Sequence, residues 1–467
     1  MSNSNTEREA ITSAFRNTPR GIGADNVADI PSAFKIVKFD CINENGAVFD
    51  LAPLVISFTI TEELFSPVLV LNLKIRDTIN FFEDFALSGQ EQINIELERF
   101  AKKDNQRIVM KQSFFVKEYP NYQKTASEPN VQEYNIIAVS EFAYKSMFMS
   151  ISRSVKGDPL NNIHKIFSED LGLGQKSFKR TGEMRCASTF DGVITIQTPL
   201  KAVEWLRSKS FDEAGAPFFV YSTIEKDGIN AASLTALCSQ KNPVMRNYEY
   251  RQTFGNKPGT PDAYAENVTR ILDMRSNIKL DKLKQSTEGA FASKTNVTDV
   301  SGKQFSSQIF DYTKDDKIGK NRLNNKTAPF SLLKKINFGP KTSGAKSLNM
   351  MSDASISNIA ANTAANFGGD QNSTSGPVRD NIAKAKSFLA NHDAISHQIQ
   401  VYGDFSLNPG KKINIKIPKA VNMDSYGGED DPDAFDKSLS GDYIIAVAAH
   451  TFSEGIYTAK LKIIKDA

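Results

Sequence analysis

The chain has 467 residues, and its 57 basic and 54 acidic side chains give a formal net charge of +3. This length is too great for one hydrophobic core and indicates two to four domains. The nearly balanced charge gives no overall electrostatic reason to expect duplex DNA or an anionic membrane as the main partner.

Signals for secretion and membrane insertion are not found in the sequence. The amino terminus lacks a basic segment followed by an apolar one, and no stretch approaches the roughly 20 apolar residues of a spanning helix. Cys41, Cys186 and Cys238 are too few and too far apart for a disulfide framework. We therefore expect synthesis and assembly in a cytoplasm, without membrane insertion.

Residues 1–33 are polar, contain Gly21, Gly23 and Pro31, and show no sustained periodicity. Such a segment cannot bury enough apolar surface to fold alone. We interpret it as an amino-terminal arm that becomes ordered against a partner.

Residues 34–145 are predicted to form a first β-module. Short apolar or alternating runs separated by turn residues are typical of a barrel or sandwich. The strand predicted at Val68–Ile75 places Leu69, Leu71, Leu73 and Ile75 on one face, and Asn72, Lys74 and the following Arg76 on the opposite, solvent-facing side. The other predicted strands are Phe34–Phe39, Val55–Ile60, Ile93–Leu97, Ser113–Val116 and Glu133–Val139.

Residues 146–255 are predicted to form a small inserted α/β domain. Asp158 and Thr198 each precede a proline and an apolar stripe at helical spacing, which predicts two helices with N-caps at these residues. The run Pro217–Tyr221 predicts a strand. Residues 256–391 form a bridging region with weaker patterning, in which 313–377 indicates a flexible, low-complexity linker and Val378–Leu389 a helix.

Residues 392–467 are predicted to form a second antiparallel β-module. Pro409 and Gly410, after Asn408, have the residue types of a type II turn. The strand that follows places three isoleucines on one face and Lys412, Asn414 and Lys416 on the other. Two further strands, Gly441–His450 and Gly455–Ile464, read as a hairpin.

The second module resembles the closing domain of the central baseplate hub proteins of T-even-type contractile-tailed phages. The resemblance depends on a strand that ends in an acidic residue, a Pro-Gly turn, a Gly-x-Tyr strand and a valine-rich strand ending near a histidine. The same arrangement occurs in the amino-terminal part of type VI secretion spikes and in phage late-control proteins. The matching positions here are Asp404, Pro409, Gly410, Gly441, Tyr443, Val447 and His450.

The resemblance implies two tube-like antiparallel β-barrel or sandwich modules joined by an α/β insertion. It further implies a structural virion protein of the tail baseplate, a homotrimer that joins the tail tube protein to the central spike protein and leaves an axial channel for DNA. Neighbouring baseplate ring proteins are further expected partners. If the modules are oriented as in this family, Asn72, Lys74, Arg76, Lys412, Asn414 and Lys416 are candidates for the lumen or a partner-facing surface. Ordinary solvent-facing strand positions are the alternative.

Motifs for catalysis, cofactors or metals are weak. The loop Gly339–Ser347 has Ala345 where a phosphate-binding loop requires lysine. The acidic run Gly427–Asp433 lacks the ligand spacing of an EF-hand, and the four histidines form no zinc motif. Glu62 and Glu63 are adjacent, so that on a strand they face opposite ways and do not form an acid–base pair. The sequence therefore predicts no cofactor, no metal site and no enzyme.

Two other functions remain open from the sequence. A hub of a related contractile injection or secretion machine would have the same pattern, and only its genomic neighbours would distinguish it. A carbohydrate-binding tail protein would require a pocket rimmed by aromatic and acidic residues, whereas the sole tryptophan, Trp205, lies on a predicted helix.

Overall fold

A computed structural model shows a mainly β fold, which confirms the predicted fold class. No helix in the part of the chain that the structure describes is long and apolar enough to cross a membrane. The structure describes residues 34–101, 106–125, 128–174, 178–180, 185–225, 228–239, 241–250, 268–278, 292–299, 304–311, 376–392, 395–419, 434–453 and 455–466. The predicted arm 1–33, almost all of the linker 313–377, the loop Gly339–Ser347 and the acidic run Gly427–Asp433 lie outside these ranges.

The first β-module is an antiparallel sheet with the strand order β3-β4-β8-β6-β5-β1-β2, in which β7 also pairs with β8. Alternate residues of β4 are buried, among them Leu69, Leu71 and Leu73, as the predicted period of two requires. A helical turn, α1 (Phe81–Asp84), follows β4. The strands are β1 (Phe34–Ile42), β2 (Val48–Asp50), β3 (Val55–Glu63), β4 (Ser66–Asp77), β5 (Gln92–Ala101), β6 (Gln106–Glu118), β7 (Gln123–Thr125) and β8 (Glu128–Ser140).

The described residues of the inserted unit form four short α-helices and two small sheets, β9-β11 and β10-β13-β12. Asp158 caps the helix after it, because its Oδ1 accepts a hydrogen bond from the Leu160 N–H at 2.8 Å. Thr198 also precedes a helix, but its side chain makes no capping hydrogen bond. The elements are α2 (Glu141–Met147), β9 (Ile151–Val155), α3 (Pro159–Lys165), a π-helical turn (Ile166–Asp170), β10 (Phe178–Arg180), β11 (Gly192–Gln197), α4 (Pro199–Arg207), β12 (Phe218–Ser222), β13 (Ile229–Ser233) and α5 (Leu234–Cys238).

The second β-module is a barrel of six strands. Its ladder runs β14-β19-β20-β21-β18-β15 and returns from β15 to β14 through a bridge between Arg270 and Glu249. The interior is apolar and includes Ile413, Ile415, Leu461 and Ile463. The strands are β14 (Val244–Glu249), β15 (Ile271–Ile278), β18 (Ile395–Tyr402), β19 (Lys412–Lys416), β20 (Gly441–Ser453) and β21 (Ile456–Lys465).

Two barrel strands come from parts of the chain that the sequence assigned elsewhere. β14 lies in the range 146–255 of the predicted inserted domain, and β15 lies in the bridging range 256–391. β14 pairs in parallel with β19, whose residues lie about 167 positions later in the chain. Local periodicity cannot show such a distant pairing. Between β15 and β18 the chain forms the hairpin β16 (Ala292–Asp299) and β17 (Gln304–Asp311), and the helix α6 (Gly376–His392).

One strand, β20, joins the two modules into a single sheet. Along one edge it pairs with β21, while its other edge pairs first with β19 and then with β3. The register runs from Val447 opposite Glu63 to Ser453 opposite Ser57. We call the pairing of β3 with β20 the seam.

Candidate functional site

A continuous polar face crosses the seam from one module to the other. In antiparallel strands, residues that are directly opposite point to the same side of the sheet. The register places Asn72 on β4 opposite Thr59 on β3, Thr59 opposite Thr451 on β20, and Thr451 opposite Thr458 on β21. These four residues therefore form one polar row across four strands.

Neighbouring rows extend the same face. One contains Lys74, Ser57 and Ser453, and another contains Lys460 and Gln400. Their side chains are half-buried or exposed, whereas the alternate residues of the same strands pack into the cores. We define the polar face as Ser57, Thr59, Thr61, Glu63, Asn72, Lys74, Arg76, Glu133, Asn135, Gln398, Gln400, Thr451, Ser453, Thr458, Lys460 and Lys462.

A hydrogen bond between side chains closes the polar face at the seam. The Thr59 and Thr451 hydroxyl oxygens lie 3.1 Å apart, and either hydroxyl can donate. Cross-strand threonine pairs of this kind stabilise a sheet by about 0.2–1 kcal/mol. Side-chain as well as backbone hydrogen bonds therefore join the two modules at the seam.

Charge on the polar face is mixed. Four of its members are basic (Lys74, Arg76, Lys460 and Lys462) and two are acidic (Glu63 and Glu133). The Lys74 ammonium lies 3.4 Å from the Glu133 carboxylate, so that part of the basic charge is neutralised within the face. A weak positive excess on a hydroxyl- and amide-rich surface attracts a polyanion only modestly and holds it only loosely.

The structure separates the six residues that the sequence grouped as lumen or partner candidates. Asn72, Lys74 and Arg76 are exposed and lie together on the polar face. Lys416 is also exposed, but its ammonium lies over the Phe435 ring, 5.3 Å from its centre. Asn414 is half-buried and donates a hydrogen bond to Asp442 at 2.7 Å.

The expectation that Lys412 faces water requires correction, because its side chain is only 4% exposed. Its ammonium donates hydrogen bonds to the carbonyl oxygens of Cys238 at 3.1 Å and Ser239 at 3.0 Å. The inserted unit and α6 cover this end of the barrel, where Phe388 packs with Ile444 and Ile464. Strand alternation identifies the two faces of β19 but does not show that another element covers one of them.

An ion cluster ties three parts of the chain together beside the seam. Asp404, which follows β18, forms ion pairs with Arg99 of β5 at 3.0 Å and with Arg246 of β14 at 2.7 Å. Its carboxylate also accepts hydrogen bonds from the backbone N–H and the hydroxyl of Ser406. Burial alone would raise the Asp404 pKa, but the two guanidinium groups outweigh it and hold the pKa well below its usual range. Asp404 therefore stays ionised and links the first module to the barrel.

A second buried polar group lies within the seam itself. The His450 Nε2 lies 2.8 Å from the Glu62 carboxylate, and the His450 Nδ1 lies 2.6 Å from the Tyr457 hydroxyl. All three side chains are fully buried. Burial raises the Glu62 pKa above its usual value, while the hydrogen bond and charge of His450 lower it in part. The adjacent Glu63 is exposed, so the two glutamates face opposite ways.

Other positions that carry the resemblance have structural contacts. Gly410 has φ +81°, and the Asn408 carbonyl accepts a hydrogen bond from the Lys411 N–H at 3.2 Å, as a type II turn after Pro409 requires. The Tyr443 hydroxyl donates to the Leu439 carbonyl at 2.5 Å and lies 2.9 Å from the His397 Nε2. These residues shape the barrel and its entry turn.

The one close cysteine–histidine contact in the described part of the chain is buried packing. The Cys238 Sγ lies 3.3 Å from the His392 Nε2, and the His392 Nδ1 lies 2.9 Å from the Phe388 carbonyl. Burial raises the Cys238 pKa well above its usual value, which keeps it a thiol rather than a nucleophilic thiolate. Across the described ranges, no group of three or more His, Cys, Asp or Glu side chains is placed to hold a metal ion.

Sequence reasoning did not identify the seam. Thr59, Thr451, Arg99 and Arg246 lie on strands that are distant in the chain, and nothing local marks them as partners. The only available signal was the alternation of threonine and serine on β3 and β20, which places small hydroxyl side chains on the wet face. The pairing of those two strands had to come from the structure.

The fold is similar to that of a tail protein from Neisseria meningitidis MC58, with a TM-score of 0.50, 10% identity, and coverage of 93% of this chain and 97% of that chain. A 43 kDa tail protein of prophage MuSo2 from Shewanella oneidensis aligns with a TM-score of 0.48, 9% identity, and coverage of 92% and 98%. The E. coli c3393 protein, a component of the type VI secretion system, aligns at 0.40 with 8% identity over 88% of this chain and 74% of that chain. No family model and no curated protein matches. The Neisseria comparison shows that the two chains share an overall fold.

Proposed function

We propose that the chain is a structural protein of a contractile phage tail, the central hub of its baseplate. In this role three copies form a ring that joins the tail tube to the central spike and leaves an axial channel for DNA. The protein would assemble in the host cytoplasm and remain in the virion without catalysing a reaction. Neighbouring baseplate ring proteins, with the arm 1–33 as a candidate contact, complete the proposed set of partners.

The observation that carries this proposal is the polar row of Asn72, Thr59, Thr451 and Thr458, which crosses four strands of both modules. A trimer that must match a six-fold tube needs two tube-like units from each chain, and their wet surfaces must be continuous around the axis. The polar face has this continuity, since hydrogen-bonded strands and the Thr59–Thr451 contact bridge the two modules. The tail-protein fold, similar over nearly the whole chain, supports the same role.

The chemistry of the polar face suits passage of DNA better than its retention. Hydroxyl and amide groups dominate, and the basic residues are partly paired with acidic ones. Each lysine or arginine that neutralises a phosphate adds salt-dependent affinity, so a strongly basic lining would retain DNA. The proposed lumen residues are therefore Asn72, Lys74 and Arg76 together with the threonines at the seam.

A hub of a contractile injection or secretion machine is the second candidate function. It would use the same adaptor geometry with a protein cargo in place of DNA. A carbohydrate-binding role has less support, because Trp205 packs edge-on against Phe190 at 5.1 Å between ring centres rather than lining an open pocket.

The test is to measure the mass of the purified chain by light scattering and to image it by negative-stain electron microscopy. Both measurements are made on the chain alone and on the chain co-expressed with the spike. A three-fold ring with three times the 51.6 kDa chain mass, about 155 kDa, is the expected result in at least one of these conditions. A chain that stays monomeric with and without the spike contradicts the proposal. The identity of the co-purifying spike distinguishes a phage tail from a secretion machine.

A further inference from the structure

A cleft of about 460 Å³ lies between the sheet of the first module and the inserted unit, and none of its lining residues belongs to the polar face. The sheet presents Asn94, Gln112 and Ser113 of β5 and β6 and Ser140 at the end of β8, and the inserted unit presents Leu173, Thr223 and Ile229. Its volume lies within the range of about 300–1,000 Å³ of natural ligand sites. The proposed adaptor role does not use it.

The cleft is lined by one end of an open strand edge, at Lys111, Gln112 and Ser113 of β6. β6 pairs with β5 along most of its length, from Gln106 to Phe115, but with β8 only from Phe114 to Glu118. β8 ends at Ser140 and the chain turns into α2, so that no described strand pairs with this edge of β6 between Gln106 and Ser113. An unpaired edge presents alternating N–H and C=O groups that can accept an added strand.

Ser140 supplies an unsatisfied polar group at the end of that edge. Its side chain is 6% exposed, lines the cleft, and its hydroxyl has no hydrogen-bond partner among the described residues. Ser140 lies opposite Phe114, where β8 separates from β6. A buried hydroxyl without a partner costs about 1–3 kcal/mol, which a ligand group at hydrogen-bond distance would recover.

The charges at the cleft are paired. Lys111 lies 3.0 Å from Glu96, Lys38 lies 3.0 Å from Asp40, and Glu141 pairs with Lys145 on α2 at 2.6 Å. Phe142, Leu173 and Ile229 add apolar surface. A lining with donors, acceptors and apolar contacts but little net charge fits a neutral peptide better than a nucleic acid or another polyanion.

We propose that the cleft binds an extended, uncharged peptide segment of a partner protein, which adds as a strand to the open edge of β6 and hydrogen-bonds with the Ser140 hydroxyl. Alternate side chains of the bound strand would point into the cleft, toward Phe142 and Leu173. The inference does not depend on the adaptor role, because it uses neither the seam nor the polar face.

The test uses a positional-scanning library of capped nonapeptides made of Ala, Val, Leu, Ser, Thr and Gln, with the full-length chain as target. Binding is followed by fluorescence anisotropy, and amide hydrogen exchange is followed for a fragment covering 106–118. We expect selected peptides to bind and to slow exchange in this fragment. The same peptides with alternate amides N-methylated should not bind, because strand addition requires their N–H groups.

Ser140→Ala is the matched site variant and should weaken binding by about tenfold while leaving the melting temperature unchanged, since its hydroxyl has no partner to lose. Phe148→Ala, at an exposed position outside the cleft, is the control and should bind as the wild type does. The proposal is wrong if no peptide protects the β6 edge, if N-methylated peptides bind equally well, or if Ser140→Ala binds with unchanged affinity.

Discussion

Removing the charge of Asp404 should weaken the link between the first module and the barrel more than any surface charge change does. In Asp404→Asn the side chain keeps its shape and can still accept a hydrogen bond from Ser406, but Arg99 and Arg246 lose their shared carboxylate. Breaking a buried ion pair by removing one partner costs about 3–5 kcal/mol. Arg246 is partly exposed, so water can replace some of its interaction, and we expect about 3 kcal/mol.

Thermal unfolding by circular dichroism measures this effect. For a chain of 467 residues, a loss of about 3 kcal/mol should lower the melting temperature by roughly 3 °C at pH 7. The control is Asp273→Asn, whose carboxylate is exposed and lies 3.9 Å from Arg275, and which should change the melting temperature by less than about 1 °C. If the two variants have the same melting temperature, the ion cluster does not stabilise the contact between the first module and the barrel.

The pH dependence follows from the direction of the Asp404 pKa shift. A carboxyl group whose pKa is lower in the folded state stabilises the protein above its unfolded pKa, about 3.9 for Asp, and loses that stabilisation as the pH falls toward the folded value. The difference in melting temperature between wild type and Asp404→Asn should therefore be full at pH 6 and shrink below about pH 4. A difference that is constant between pH 6 and pH 3 would refute the assigned role.

Three further changes test other parts of the structure. Glu62→Gln should become more stable relative to wild type as the pH rises from 4 to 7. The reason is that the pKa of Glu62 is raised in the folded state, so that ionising this carboxyl group destabilises the wild type. A difference in melting temperature that does not change with pH contradicts this. Lys412→Ala should lower the free energy of unfolding by about 1–3 kcal/mol in a denaturant titration, because its ammonium has two buried hydrogen bonds. Lys416→Ala, at an exposed position, should lower it by less than about 0.5 kcal/mol. Equal effects would show that the Lys412 side chain is solvent-exposed. Gly410→Ala should cost at least about 1 kcal/mol in the same titration, since φ is +81° and the added Cβ would lie 2.7 Å from the Tyr221 hydroxyl; a neutral result would show that the turn adapts.

The elements that follow from local chemistry could be predicted from the sequence. Alternation identified the buried faces of β4, β19 and β21, and the proline after Asp158 marked the start of α3. These signals depend on residues within a few positions of one another, so the local sequence is enough to show them.

The elements that depend on distant pairing could not be predicted. β14 joins the barrel through a parallel ladder with β19, and β20 divides one edge between β19 and β3. Lys412 has the sequence pattern of a wet position and is nevertheless buried, because α5 ends over it and supplies two carbonyl groups. In each case the strand or residue that determines the arrangement lies more than 150 residues away in the chain. Strand periodicity cannot identify such a distant partner.

A reconstruction by single-particle cryo-electron microscopy of the chain bound to its co-expressed spike tests the adaptor role most directly. We expect three copies around one axis, with the polar face that contains Asn72, Thr59 and Thr451 turned toward a central channel. A monomer on the spike, or a ring whose channel is lined by a different surface of the chain, would contradict this role.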